Sequence, residues 1–174
     1  MIAAVDVHYA GDAGYAACLT FPRWTDAEPE AEYGALVRPV HDYEPGHFWR
    51  RELPCIVAVL ALLPRLPDVV IVDGYVWLDA ASSKGLGAHL FDALGAAVPV
   101  VGVAKGSFRG SPHAGRVTRG SSSRPLFVTA AGMPLTDAAA AIGSMHGAYR
   151  TPTLLKRVDQ LCRRGIAASI ESAL

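Results

Sequence analysis

The sequence contains little cysteine and no long apolar run, and each absence narrows the class of protein. None of its apolar runs reaches the roughly 18 residues that a bilayer-crossing helix needs. Asp6 interrupts the first apolar run and no basic region precedes it, so we expect no signal peptide. The three cysteines lie far apart without Cys-x-x-Cys spacing, which argues against a disulfide framework and against a zinc site. These features predict a cytoplasmic protein that does not associate with a membrane.

Acidic residues are scarce in the second half of the chain. Residues 1–92 hold 13 acids and 6 bases, whereas residues 93–174 hold 3 acids and 10 bases, although the net charge is zero. No acid occurs between Gly95 and Thr136. An acidic half beside a basic half suits an enzyme that binds a polyanion and holds a metal through carboxylates. The alternative is that the Gly-, Ser- and Arg-rich segment 106–124 is a solvated loop.

Short apolar runs alternate along the chain with segments of helical periodicity. With 174 residues, of which 51% are hydrophobic, we expect a single domain over 1–174. The pattern predicts an α/β fold whose mixed sheet has three antiparallel strands and then parallel strands, flanked by helices. We predict strands at 2–9, 15–21, 32–40, 69–73, 98–103 and 126–130, and helices at 51–63, 84–94, 136–145 and 152–164, the last closed by Gly165.

A lone carboxylate ends one buried strand and interrupts another. The apolar run 69–72 leads directly into Asp73 and Gly74, and Asp6 lies within the first strand. In open α/β sheets, ligands gather at the carboxyl ends of the strands. Two carboxylates brought together in a dry site would repel each other, and a divalent cation between them would remove that cost. The alternative role for Asp73 is to cap the following turn.

Glu52 and Lys105 complete a set of four charged residues at element ends. Glu52 lies in the first turn of a predicted helix, and Lys105 lies just beyond the strand 98–103. Three acids can hold one or two Mg²⁺ ions through oxygen ligands. Bound magnesium orients a water molecule for displacement at phosphorus, and a lysine can stabilise the negative charge that develops. The alternative role for Glu52 is to complement the helix dipole, which contributes only about 0.3–1 kcal/mol.

Five short motifs follow one another in an order and at intervals that are known from one enzyme family. They are Val5-Asp6-Val7, Tyr43-Glu44-Pro45-Gly46 with Arg51-Glu52, Val72-Asp73-Gly74, Gly102-Val103-Ala104-Lys105, and Tyr149-Arg150-Thr151-Pro152. Over about residues 1 to 165, the sequence resembles the endonuclease V family, which has the ribonuclease H-like fold.

The resemblance implies a DNA-repair hydrolase that depends on Mg²⁺, with Mn²⁺ as a substitute. It implies an endonuclease that cuts a phosphodiester bond 3′ to a deaminated base, chiefly hypoxanthine, in DNA or RNA. By motif, the metal ligands and catalytic residues are Asp6, Glu52 and Asp73, with Lys105 as a further catalytic residue. The resemblance also implies a substrate-binding set, in which Tyr43 is the wedge that fills the stack when the base flips out. That set is Tyr43, Pro45, Gly46, Gly74 and Arg150.

The chain departs from the family pattern after Gly74. Where the family continues with His-Gly, this sequence reads Tyr75-Val76-Trp77-Leu78-Asp79, and a family histidine before the penultimate helix is Met133 here. We expect Val76 to crowd a pocket that is otherwise built from glycine, and so to weaken selectivity for hypoxanthine.

Two other functions fit the same residues. The first is a nucleic-acid-binding module on the same fold with weak or lost cleavage. The second is a phosphohydrolase that acts on a small nucleotide through the same carboxylates. The dependence of binding affinity on salt concentration separates a polymer binder from a small-nucleotide enzyme, because only the polymer binder releases many counterions. The pattern specifies no oligomeric state.

Overall fold

One mixed sheet with helices on both faces makes up the computed structural model, which describes residues 1–42, 44, 47–108 and 114–171. The strands are β1 (Ile2–Ala10), β2 (Ala13–Phe21), β3 (Ala31–Val37), β4 (Val69–Asp73), β5 (Val100–Ala104), β6 (Gly115–Val117) and β7 (Leu126–Ala131). The helices are α1 (Trp49–Leu60), α2 (Leu86–Ala93), α3 (Leu135–Ser144) and α4 (Thr153–Glu171). The strand order is β3-β2-β1-β4-β5-β7-β6.

The strand pairing confirms the predicted mixed sheet. β1, β2 and β3 form an antiparallel meander, and β1, β4 and β5 run parallel to one another. At the far edge, β7 pairs antiparallel with β5 and β6 pairs antiparallel with β7. β6 falls inside the basic segment for which a solvated loop was the alternative. Because β1, β4 and β5 point the same way, their carboxyl ends meet at one edge of the sheet.

Side chains of β1 alternate between two hydrophobic cores. Val5 and Val7 belong to the core beneath α1 and α2, whereas Ala4 belongs to the core beneath α3 and α4. Asp6 follows this alternation and contacts Cys162 of α4. The two-residue period of the strand therefore decides which helix Asp6 faces.

The C-terminal helix does not end where the sequence predicted. α4 continues through Gly165 to Glu171, so the prediction that Gly165 closes this helix is wrong. Gly165 instead lies against the aromatic ring of Tyr15 in β2, where any Cβ atom would overlap the ring. The hydroxyl end of the same ring lies against Gly34 in β3. Gly165 thus serves close packing of helix on sheet, which a local terminator pattern does not distinguish from a helix end.

Gly165→Ala is expected to lower the free energy of unfolding by about 1–3 kcal/mol, because the Tyr15 ring would have to move. This sign is opposite to the local preference, since alanine favours a helix over glycine by about 1 kcal/mol. Chemical denaturation measures the change. In a Tyr15→Ala background the same substitution should be neutral or stabilising; a loss of stability there would contradict the packing explanation.

Helical spacing predicts a buried face of α1 made of Leu53, Ile56, Val57, Leu60 and Leu63, and the structure differs from it in part. Ile56 and Leu60 are buried as expected, but Val57 is exposed and Cys55 and Val59 are buried in its place.

None of the helices that the structure describes combines the length and the apolar character of a bilayer-crossing segment.

Candidate active site

Three carboxylates and one lysine line a cavity at the carboxyl ends of the parallel strands. They are Asp6 of β1, Asp73 at the end of β4, Lys105 just after β5, and Asp159 of α4. Apart from Thr151 the remaining lining is apolar, and it comes from β1, β4, β5, β7 and the start of α4. The cavity therefore concentrates charge between the sheet edge and one helix.

Asp6 sits at the point where β1 loses one of its neighbours. The parallel pairing of β1 with β4 ends at Val5 and Val72, so Asp6 is the next residue along. Its Oδ1 accepts a hydrogen bond of 2.9 Å from the amide of Val7, and its Oδ2 accepts one of 3.7 Å from Cys162 Sγ. Burial raises the pKa of Asp6 to about 6, and repulsion from Asp73 adds to this effect.

Asp73 and Lys105 form a loose ion pair at the mouth of the cavity. Lys105 Nζ lies 3.8 Å from Asp73 Oδ2, and the two side chains are 58% and 54% exposed. Desolvation raises the pKa of Asp73, Lys105 opposes that rise, and Asp159 adds to it. A pair this open contributes little to stability, so the Lys105 ammonium is available to a phosphate oxygen.

Glu52 approaches the same region from the other side of the sheet. It belongs to α1, which packs on the face opposite to α4. Burial, together with repulsion from Asp6 and from Asp73, raises the pKa of Glu52 to about 9. The three acids predicted from the sequence are therefore close enough to repel one another.

The described residues contain no group of three His, Cys, Asp or Glu side chains already arranged to hold a metal ion. That Asp6, Glu52 and Asp73 share one cation stays a prediction. The donor chemistry nevertheless fits a hard divalent cation, because each of these side chains offers carboxylate oxygens. The pKa values of Asp6, Glu52 and Asp73 are raised first by burial and then by repulsion from neighbouring carboxylates, and a bound cation would relieve that repulsion.

Sequence reasoning missed Asp159, which the fold brings to the cavity from α4. The signal was present in the helical periodicity. Leu154, Val158 and Cys162 form the buried stripe of α4, and Asp159 follows Val158 beside that stripe. An acid that flanks an apolar stripe is a candidate site residue because it stands at the edge of the buried face, and here Asp159 also accepts a hydrogen bond of 3.0 Å from Arg163 Nε.

The guanidinium of Arg150 is hydrogen-bonded to two backbone carbonyl groups. Its Nη2 donates hydrogen bonds to the carbonyl oxygens of Lys105 and of Pro125, the latter at 2.7 Å. Arg150 therefore ties the backbone of Lys105 to the segment that precedes β7. We assign Arg150 a positioning role, and its predicted contact with substrate stays a prediction.

A second arginine holds the segment that carries Arg150. Arg119 is only 6% exposed, and its guanidinium donates to carbonyl oxygens in the last turn of α3 and in the connection between α3 and α4. The acceptors are Gly143, Met145, Gly147, Tyr149 and Arg150. Hydrogen bonding of this kind fixes a connection that has little regular structure of its own.

Arg150→Ala is expected to reduce kcat for strand cleavage by about 10- to 100-fold, because Lys105 loses its support. Arg150→Lys should rescue little, since both bonds come from one planar Nη2 group whose direction the ammonium of a shorter, more flexible side chain does not reproduce. Steady-state kinetics measures both, with Arg164→Ala on exposed α4 surface as a control for charge. Full activity of Arg150→Lys would show that charge toward the substrate, not positioning, is what Arg150 supplies.

Gly74, directly after Asp73, has a backbone conformation that favours glycine. Its φ is +135°, which disfavours any side chain, and a Cβ atom there would meet open space. Its amide donates to Val103 of β5 at 3.0 Å. The three other predicted substrate-binding residues, Tyr43, Pro45 and Gly46, lie outside the described residues.

The expectation that Val76 crowds a base pocket is wrong. Val76 is fully buried in the core, where a Cβ atom on Gly87 of α2 would lie 2.7 Å from it. Its amide donates to Thr129 Oγ1 at 2.8 Å, and Trp77 Nε1 donates to the carbonyl of Ala130 at 2.9 Å. The unusual loop is therefore anchored to β7, and Val76 gives no reason to expect weaker base selectivity.

Comparison with known proteins points to one family. The family model described as Endonuclease V matches residues 1–136. Endonuclease V of Streptomyces coelicolor is 32% identical over 156 residues, which cover 78% of this chain and 66% of that protein. The chain thus spans about two thirds of the length of this curated relative.

Solved structures agree with that similarity. The crystal structure of endonuclease V from Streptomyces avermitilis has a TM-score of 0.79 and 29% identity, covering 97% of this chain and 82% of that one. Endonuclease V of Ciona intestinalis, solved with DNA containing an inosine followed by a ribo-adenosine, has a TM-score of 0.80. At 18% identity, over 96% of this chain and 86% of that chain, this second likeness concerns the fold alone.

Proposed function

The chain belongs to the endonuclease V family of nucleases, and from that premise we propose a metal-dependent endonuclease that acts on nucleic acid. The proposed reaction is hydrolysis of a phosphodiester bond 3′ to a deaminated base in DNA or RNA. One observation carries the proposal: a cavity at the carboxyl ends of parallel strands holds three carboxylates beside a lysine. Carboxylates hold the cation that such hydrolysis needs, and the lysine faces the phosphate.

We propose Mg²⁺ as the cation, with Mn²⁺ as a substitute. Asp6, Asp73 and Asp159 line one cavity, and Glu52 of α1 lies close enough to be repelled by Asp6 and Asp73, so these four residues would hold the cation or its water. When bound, the cation supplies an activated water and a Lewis acid for displacement at phosphorus. Lys105 then neutralises charge on the phosphate oxygens, and Arg150 keeps Lys105 in place.

The proposed substrate is a strand that contains hypoxanthine. Support comes from the Ciona intestinalis relative, which was solved with inosine-containing DNA. Support from this chain comes from its charge distribution, because residues 93–174 carry 10 bases and 3 acids. A basic surface beside a carboxylate site suits a polyanionic substrate that must be held and cut at one bond.

A second candidate function is binding of nucleic acid without efficient cleavage. The observation that favours it is the departure from the family pattern, with Tyr75-Val76 in place of His-Gly and Met133 in place of a histidine. Under this alternative, the chain would retain the basic surface and the fold. It would bind inosine-containing strands with strong salt dependence and leave them intact.

Cleavage of labelled strands with inosine, uracil, an abasic site or adenine at one position tests the proposal. The assay is run with Mg²⁺, with Mn²⁺ and with a chelator. We expect cleavage 3′ to inosine that needs the cation, and little cleavage of the adenine strand. Binding without cleavage in either metal would favour the second candidate, and neither binding nor cleavage would contradict both.

We also propose that residues 1–174 form a single domain, since α1 to α4 pack on the two faces of one sheet. A cytoplasmic location is part of the same proposal, and it is supported by three buried cysteines that are free thiols.

A further inference from the structure

A second cavity adjoins the carboxylate site along the first turns of α4. It has a volume of about 460 Å³, within the roughly 300–1,000 Å³ of typical ligand sites. The two cavities share Lys105, Thr151, Leu155 and Asp159, so the second is continuous with the first. We call it the flanking groove. Its remaining lining consists of Ser121, Ser122, Tyr149, Arg150 and Lys156.

Positive charge dominates the flanking groove. Lys156 is exposed, and no ion pair within the described ranges neutralises Lys156 or Arg150. Asp159 is the one acid in the lining, and it stands at the end shared with the carboxylate site. Cations and hydroxyl groups along a groove are suited to a phosphate backbone, whose charge they neutralise as counterions are released.

An exposed aromatic ring stands in this groove on a well-held backbone. Tyr149 is 78% exposed, whereas its carbonyl accepts a hydrogen bond of 3.0 Å from the buried Arg119. Gly120 packs beneath the preceding residue, because a Cβ atom there would overlap the carbonyl of Ala148. An aromatic ring that is both exposed and held in place is a suitable platform for stacking a base.

From these contacts we infer that the flanking groove binds the single strand next to the bond that is cut, an inference that rests on the proposed function. One unpaired base stacks on the ring of Tyr149. The neighbouring phosphate lies at Lys156 and at the hydroxyl group of Ser121, because the Ser122 hydroxyl already donates to the carbonyl of Arg124. Since every base has an aromatic face, this contact adds affinity without adding base selectivity.

Kinetics on shortened substrates tests the groove. Inosine-containing single strands are shortened one nucleotide at a time from either end and cut by the wild-type chain and by Tyr149→Ala, Tyr149→Phe and Lys156→Ala. On long strands, Tyr149→Ala should raise KM about tenfold, and Tyr149→Phe should restore it, because the ring is what stacks. Once one end has been shortened past the groove, the KM ratio between Tyr149→Ala and wild type should fall to about one. That end identifies the direction in which the strand runs.

Lys156→Ala provides an independent measurement that does not need cleavage. Anisotropy of a labelled single strand without inosine, in a chelator, should show weaker binding and a slope of log affinity against log salt that is smaller by about one. Lys84→Ala is the matched control, because Lys84 pairs with Asp92 outside the flanking groove and the change in net charge is the same. It should bind like the wild type.

The groove and the proposed function fail in different ways. If Tyr149→Ala and Lys156→Ala bind the plain strand as tightly as Lys84→Ala does, the groove does not hold the strand and the inference is overturned. A KM ratio that survives shortening from both ends would overturn it as well. If the wild-type chain cuts no substrate, the proposed function fails, and the anisotropy series still decides the groove.

Discussion

Asp73→Asn is expected to lower the rate of strand cleavage by at least about 100-fold while leaving the fold intact. The substitution keeps the shape of the side chain and removes one negative charge from the cavity shared with Asp6 and Asp159. The Asp73 side chain is 54% exposed, so no packing is lost. Less repulsion toward phosphate should also tighten nucleic-acid binding in the absence of metal.

Single-turnover cleavage and thermal unfolding measured on the same preparations check this result. Asp137→Asn, in the first turn of α3, is a control for loss of one charge elsewhere. Cleavage by Asp73→Asn at the wild-type rate would show that the carboxylate cavity is not the site of hydrolysis.

Added Mg²⁺ or Mn²⁺ is expected to raise the melting temperature far more at pH 8 than at pH 5. Burial and mutual repulsion raise the pKa of Glu52 from 4.5 to about 9 and that of Asp6 from 3.8 to about 6 in the metal-free chain. A cation binds the deprotonated carboxylates, so its binding competes with these protons. At low pH the carboxyl groups are protonated and compete with the cation, and at high pH the carboxylates are charged and available to bind it.

The direction in which stability changes with pH follows from the protons that the folded and the unfolded chains bind. Between pH 4.5 and about 9 the unfolded chain has released the Glu52 proton while the folded chain still holds it. Stability of the metal-free protein therefore falls as pH rises through this window, and Asp6 adds to the fall up to about pH 6. Each pKa unit by which folding raises the pKa of a group corresponds to about 1.4 kcal/mol of folding free energy. This stabilisation is present at low pH and is lost as the pH rises to the pKa of the folded chain.

Thermal unfolding across pH, with chelator or with excess cation, measures both effects. Glu52→Gln in chelator should flatten the dependence between pH 6 and 9, because it removes the group that titrates there, and should respond less to the cation. A metal-free stability that rises over this window would contradict the assignment of Glu52 to the site.

The sequence was sufficient for the sheet and for part of the site. The acids at Asp6 and Asp73 and the base at Lys105 follow apolar strand residues, and parallel strands necessarily bring their carboxyl ends to one edge. The place of Gly165 inside α4 could not be predicted in this way, since its reason is the ring of Tyr15, 150 positions earlier in the chain.

By itself, the sequence determined the mixed sheet, the family and three of the four charged residues that line the carboxylate cavity. These depend on local periodicity, on strand ends and on short motifs, all of which lie within a few neighbouring residues. Only the tertiary structure decided that Asp159 joins the cavity and that Glu52, from the opposite helix layer, lies close enough to be repelled by Asp6 and Asp73. It also decided that Arg150 supports Lys105 and that Val76 is core. Each of these depends on which distant segments pack together, and packing is set by the whole core rather than by any one stretch of sequence.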